Sequence, residues 1–275
     1  MIKHIIDNFK LFYFRLKFHS HIYTKFKKYN YHNYQPYKSI DIKKTLIELK
    51  NNGYCIIENY LNVNECETIK SNIDNSLKFK KDIIWTDDLK SDYRIYGFNH
   101  ICELTKKIFF SSELLKISNN YINCKMETVF TMANKVSFVK EDGGSGGGWH
   151  RDGINPSIKS LIYINDVDKN NGPLQLISHS NKFNNIILDN RKMKNKNFLS
   201  TRFKNEQISN IDNIQKRLKQ FNLKKGTMII FDTSNIHRGM PIRNSNRYAI
   251  TNYYFPIGKM TQQKYPVRPQ VFNQI

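Results

Sequence analysis

A chain of 275 residues, 39% of them hydrophobic, is long enough to bury a sizeable core, so it is excluded from the small scaffolds that need disulfides or metals to fold. Its net charge of +21 would ordinarily suggest nucleic acid or an anionic surface, but the basic residues run along the whole sequence as a compositional bias, and no specific nucleic-acid partner is expected. Cys55, Cys66, Cys102 and Cys124 form no C-x-x-C pair and read as buried thiols, and no apolar run could span a bilayer, which together predict a cytoplasmic location.

Residues 1–38 read as an N-terminal extension. Ile2, Ile5, Ile6, Phe9, Phe12 and Leu16 recur at helical spacing, with Lys3, Lys10 and Lys17 among the polar positions, which predicts a basic amphipathic helix. Such a helix suits peripheral contact with an anionic membrane face, and it equally suits packing on the domain or on a partner subunit. The stretch Tyr29 to Tyr37 reads as a linker.

Residues 39–275 make the main domain. Ile42, Leu46 and Leu49 mark a helix that Gly53 can end, and Tyr54 to Ile57 follow as a short strand. Asn62 with Glu65 three residues on signals a second helix, whose expected buried stripe is Val63, Cys66, Ile69, Ile73 and Leu77. Between 82 and 130 the pattern is hard to read. Trp85, Tyr93, Tyr96 and Phe98 are expected in the core, with the lining of a substrate mouth as the alternative, Leu104 to Asn120 holds two short helices, and His100 is an ordinary polar histidine.

After Asn134 strand signals take over, at Val136 to Val139, Ile158 to Ile164, Leu174 to Ile177, Gly226 to Asp232 and Arg247 to Phe255, with a turn at Asn170-Asn171-Gly172-Pro173. Short strands divided by turns, with no alternating helices, favour a sandwich or barrel. Residues 181–223 interrupt them as a basic insertion, either a lid or a solvated excursion, with an amphipathic helix expected over Ile208, Ile211, Leu218 and Phe221. The glycine run Gly143 to Gly148 lacks the Lys-Ser/Thr of a phosphate cradle and reads as a flexible loop.

The chemistry gathers around that loop. His150 and Asp152 are two residues apart, so on an extended strand they share one face, and His237, after the apolar run Thr227 to Phe231, can supply a third ligand. Two imidazoles and one carboxylate on one side of a metal leave the opposite positions open. Arg247 offers a planar, permanently charged fork suited to the far carboxylate of a dicarboxylate chelating the same metal. Trp149 is placed either as a wall of the metal pocket or as core, and His179 behind the ligands.

Trp149-His150-Arg151-Asp152, Asn171-Gly172-Pro173-Leu174 with Ser178-His179-Ser180, and Gly226-Thr227 through His237 to Arg247 resemble the phytanoyl-CoA dioxygenase-like family of Fe(II)/2-oxoglutarate oxygenases, over roughly Asp41 to Phe255. The resemblance implies a mainly β fold with flanking helices, a double-stranded β-helix (jelly roll, cupin-like). It implies His150, Asp152 and His237 as iron ligands and Arg247 as the 2-oxoglutarate anchor. It also implies a dioxygenase that uses O2, releases succinate and CO2, and hydroxylates a small-molecule substrate. The basic insertion would suit an anionic substrate, lipid-, CoA- or sugar-linked. Arg151 stands where the family often has glutamine, and the small residues around His179 are shifted. A carboxylate at Asp152 fills the position a halide would need, which argues against halogenation. A catalytically silent or differently metallated jelly-roll binding protein, and a basic membrane-surface adaptor, are the competing readings.

Overall fold

The computed structural model describes residues 2–23, 32–79, 83–139, 148–195, 197 and 199–257. Helix α1 (Ile2–Tyr23) is followed by α2 (Ile42–Asn52), β1 (Tyr54–Ile57), α3 (Val63–Phe79), β2 (Ile84–Thr86) and β3 (Asp92–Tyr96). After a 3-10 turn at Phe98–His100 come α4 (Glu103–Phe109), α5 (Ser112–Ile122), β4 (Met126–Ser137), β5 (Trp149–His150), β6 (Ile158–Tyr163) and β7 (Leu174–Ile177). The remainder is α6 (Phe183–Lys192), β8 (Arg202–Phe203), α7 (Asn205–Ser209), α8 (Ile214–Arg217), β9 (Leu218–Gln220), β10 (Met228–Asp232), β11 (His237–Gly239) and β12 (Asn246–Pro256).

The strands form two antiparallel sheets, a seven-stranded one in the order β1-β10-β6-β12-β4-β3-β2 and a five-stranded one in the order β8-β5-β11-β7-β9. Helices cover the outer face of the large sheet, and the small sheet faces its inner side. This jelly-roll arrangement explains why Met228-Ile229-Ile230-Phe231 is apolar at every position, since both faces of β10 are buried. Met228 and Ile230 join Ile162 and Ile250 against Leu49, Cys66, Ile69 and Ile117 of the helices, while Ile229 and Phe231 meet Tyr163, Leu174 and Leu176 between the sheets. Each fully buried isoleucine contributes about 1.5–3 kcal/mol.

The helix punctuation acts as the sequence implies. Gly53 takes a left-handed φ of 83° and donates its N–H to Leu49 O, ending α2. Asn62 and Glu65 form a reciprocal cap on α3, the Asn62 N–H donating to Glu65 Oε2 at 2.8 Å and the Glu65 N–H to Asn62 Oδ1 at 2.9 Å.

Several expectations change. Val63 lies on the exposed side of α3, because it is the first helical residue and points off the sheet. Trp85 is exposed on the edge strand β2, with the Arg94 guanidinium stacked on its ring at 4.6 Å, whereas Phe98 is fully buried. Of the thiols, Cys55, Cys66 and Cys102 are buried and Cys124 is half-buried. β4 begins at Met126, well before Val136, and pairs along its length with β12.

Residues 32–38 are part of the folded body: Tyr37 donates to Glu65 Oε1, Lys38 pairs with Glu65 at 2.6 Å, and Tyr34 Oη accepts the Thr128 N–H. The earlier part of the expected linker lies outside the described residues, as does Gly143 to Gly147. The 181–223 insertion is neither a plain excursion nor one helix. Leu218 turns extended into β9 to pair with β7, β8 pairs with β5, and Met193, Phe203, Ile208 and Ile211 bury the small sheet's outer face with Ile236 and Trp149. Among the described residues no helix is long and apolar enough to cross a membrane.

Candidate metal centre and its two cavities

β5 and β11 are neighbours in the small sheet, and His150 pairs directly with His237. Their ring centroids lie 4.3 Å apart. Asp152 completes the set: one ligand atom from each of the three side chains lies within 4.8 Å of the others. An ion with bonds of about 2.1 Å could draw such atoms together by a small inward movement.

Backbone carbonyls fix both imidazoles. His150 Nδ1 is 2.9 Å from Gly148 O, and His237 Nδ1 is 2.8 Å from Asn235 O. A carbonyl can only accept, so each Nδ1 carries the proton and each Nε2 presents a lone pair. Burial keeps both rings neutral, lowering His150 and taking His237, which also faces His150, down to about 3.

For Asp152 burial opposes ionisation, yet Lys159 Nζ, 2.6 Å from Oδ2, holds the carboxyl well below its usual range. Lys159 reaches it from β6, lying 4.4 Å from the Tyr253 ring centroid. Two neutral Nε2 donors and an ionised carboxylate suit ferrous iron by donor chemistry.

The turn that delivers His237 is built on Asp232, whose carboxylate accepts from Ser234 N and Oγ, Ser157 N, Asn181 Nδ2 and Tyr121 Oη. Ser180 Oγ receives the Ile236 N–H at 2.7 Å, one residue before the ligand. Asp152 N donates to Thr233 O, joining the two ligand-bearing loops.

Arg247 projects from β12 between the sheets and is buried, which lowers its pKa, while Tyr163 and Asp92 nearby favour its charge. Its Nη1 donates to Gly172 O. A Cβ on Gly172, where φ is +74°, would sit 2.5 Å from Met240 O, and one on Gly239 would sit 3.1 Å from both terminal guanidinium nitrogens. The glycines thus clear the space that Arg247 fills.

Two cavities meet at these residues. The inner one, about 140 Å³ between the sheets, is lined by His150 and His237, by Arg247 and by Tyr163, Thr251 and Lys159. The outer cleft, about 480 Å³, is lined by His150, Asp152 and Lys159 together with Asn155, Thr201, Arg202 and Tyr253 to Pro256. His150, Lys159 and Tyr253 border both.

The structure therefore brings His150, Asp152, His237 and Arg247 to one place. It does not bring Trp149 or His179. Neighbouring strand residues face opposite ways, so Trp149 leaves the metal face and packs beneath Arg238 with Phe203 and Ile236. His179, at φ 64°, turns to the end of α2, where Nε2 lies 2.8 Å from Asn51 O. Sequence reasoning missed Lys159, Tyr163, Gly239 and Asp232. A lysine inside the largely apolar strand Ile158–Tyr163 is the one signal the sequence offers.

Arg151 also faces away from the ligands. It is fully buried over the Phe203 ring at 5.5 Å, and none of its three side-chain nitrogens has a hydrogen-bond partner among the described residues. Burial pushes its guanidinium down to about 10, with Asp189 partly compensating.

A sequence profile described as Phytanoyl-CoA dioxygenase matches residues 49–249. No match was found among curated proteins. Among solved structures, EctD from S. alaskensis with 2-oxoglutarate and 5-hydroxyectoine aligns at 15% identity and TM-score 0.60, covering 81% of this chain and 80% of that one. HygX from Streptomyces hygroscopicus with nickel and 2-oxoglutarate aligns at 12% identity and TM-score 0.59, covering 78% and 87%. The epimerase SnoN, in complex with Fe3+, alpha ketoglutarate and nogalamycin RO, aligns at 9% identity and TM-score 0.59, covering 78% and 83%. At these identities the likeness establishes a shared fold.

Proposed function

The chain belongs to the phytanoyl-CoA dioxygenase family of iron(II)- and 2-oxoglutarate-dependent oxygenases, and on that premise we propose that His150, Asp152 and His237 hold the iron while Arg247 holds the distal carboxylate of 2-oxoglutarate. The reading rests on one observation: the candidate ligands stand at the junction of two cavities, and the inner one has Arg247 among its walls. A dicarboxylate filling the inner cavity would have imidazole ligands beside one end and a buried guanidinium at the other. The outer cleft is left for the substrate.

When bound, iron(II) and 2-oxoglutarate supply oxidative decarboxylation to succinate and CO2, coupled to oxidation of a substrate C–H bond. The chain's own contribution is geometric and electrostatic. The Gly148 and Asn235 carbonyls keep both Nε2 atoms free, and Lys159 occupies Asp152 Oδ2 so that Oδ1 stays on the side of the imidazoles. Leu161, Leu174 and Phe231 supply the apolar part of the inner cavity's wall, and the burial of Arg247 would strengthen a charge-assisted bond to it.

We place a small-molecule substrate in the outer cleft, and Arg202 on its wall favours an anionic one, the charge of Lys159 being offset by Asp152. Hydroxylation is the proposed outcome. A cytoplasmic setting accords with thiols that form no disulfide among the described residues, and within residues 1–38 peripheral membrane contact is assigned to helix α1. The test is anaerobic loading with iron(II) and 2-oxoglutarate, exposure to air and succinate detection across a panel of candidate substrates, with mass spectrometry for an added oxygen. His150→Ala should abolish succinate formation. Metal binding without any 2-oxoglutarate turnover would favour the binding-protein reading instead.

A further inference from the structure

Helix α1 is docked by its narrow side. Leu11 is fully buried against Ile154, Ile186 and Ile187, and Arg15, one turn on, donates to Asn181 O at 2.9 Å and Ile154 O at 3.3 Å and lies over the Phe183 ring. The apolar stripe, which by sequence suits a membrane face and packing on the domain equally, faces out. Phe9, Phe12, Tyr13 and Leu16 follow i, i+3, i+4, i+7 spacing on the side away from Leu11 and are 71%, 57%, 56% and 56% exposed; Ile6 extends the row. The side chains of Ile2 and Ile5 lie outside the described residues.

A row of aromatic and aliphatic side chains this exposed marks an interaction surface. Its borders indicate the partner. Lys10 and Lys17 are exposed beside the row, and Asp7, the helix's one acid, is half-buried and off the stripe. A second copy of the chain would bring another +21 charge and the same lysines to the contact, which disfavours self-association. An anionic bilayer answers both features. Phe and Tyr settle at the headgroup boundary, and flanking lysines reach back to the phosphates.

We propose that the outward face of α1 is an interfacial anchor for an anionic phospholipid membrane. The point of attachment gives the contact a consequence for the site. Ile154 lies between Gly153 and Asn155, both walls of the outer cleft and close in sequence to Asp152, so α1 is fastened to the cleft's rim. The anchor would hold that rim against lipid, where an amphiphilic anionic substrate could enter without crossing water. This last step rests on the oxygenase reading; the lipid contact does not.

The experiment is flotation of the full chain with phosphatidylcholine vesicles and with vesicles also containing phosphatidylserine, beside the triple variant Phe9→Gln, Phe12→Gln, Leu16→Gln and the double variant Lys10→Gln, Lys17→Gln. The wild type should bind the anionic vesicles and not the neutral ones. The triple variant should lose binding at least tenfold with its melting temperature unchanged, and each lysine should account for about fivefold at low salt. Vesicle binding that survives the triple variant would assign it to diffuse charge and overturn the proposal. So would absence of binding, or sedimentation showing a dimer that the triple variant dissociates. Because vesicle binding needs neither iron nor 2-oxoglutarate, its failure leaves succinate formation intact, and failure of the oxygenase reading leaves vesicle binding intact.

Discussion

Replacing Gly239 by alanine perturbs the co-substrate end of the site without touching any proposed ligand. The new Cβ would lie 3.1 Å from Nη1 and Nη2 of Arg247 and 3.5 Å from Cζ, where ordinary contacts begin at 3.4 Å. The guanidinium must therefore retreat by a few tenths of an ångström. A hydrogen bond to a charged group is worth about 1.5–3 kcal/mol, and a shift of this size should forfeit about 1 kcal/mol, roughly fivefold in affinity. The backbone at Gly239 does not need a left-handed φ, so alanine is sterically allowed there and stiffens the unfolded chain, keeping the stability change within about 1 kcal/mol. Anaerobic calorimetric titration of 2-oxoglutarate into metal-loaded protein, with a separate metal titration and a thermal melt, reads all three quantities. Unchanged 2-oxoglutarate affinity would refute the placement of Arg247, and a parallel loss of metal affinity would refute the division of labour between the two ends of the inner cavity.

Arg247→Ala should weaken 2-oxoglutarate by about 30-fold or more while metal affinity holds, checked by the same titrations. Lys159→Met frees the Asp152 carboxylate from its 2.6 Å partner and should cost about tenfold in metal affinity, seen in competition with a chelating dye. Arg151→Met removes a buried guanidinium with no hydrogen-bond partner among the described residues, and urea denaturation should show stability unchanged or raised by about 1–4 kcal/mol; a clear drop would mean that its attraction to Asp189 holds the insertion down. Gly226→Ala meets both a φ of +80° and the Leu61 carbonyl at the entry to β10, and should destabilise by at least about 2 kcal/mol in the same assay.

Much of the architecture was legible because its signals are local. Gly53 and the Asn62/Glu65 pair bracket helices through bonds spanning four residues or fewer, and β6, β7, β10 and β12 announce themselves by apolar runs between turns. The H-x-D spacing keeps His150 and Asp152 near one another, although not by strand alternation, since β5 ends at His150 and Asp152 sits in the bend that follows; the motif resemblance named His237 and Arg247. Local signals failed where the partner is distant. Trp85 looks like core but sits on an edge strand, and the residues from Ile208 to Phe221 read as one helix until β7 draws Leu218 into a strand.

By itself, the sequence determined which side chains are candidates for holding a metal and a dicarboxylate and where the chain must turn, because ligand type, glycine freedom and helix caps are properties of single residues and their near neighbours. Only the tertiary structure decided that Lys159 holds Asp152, that Gly172 and Gly239 clear room for Arg247, that Trp149 and His179 face elsewhere, and that α1 docks through Leu11 with its aromatic row turned outward. Which of two faces of a strand or helix is buried depends on what lies across from it. That partner sits tens or hundreds of residues away, so no local pattern records it.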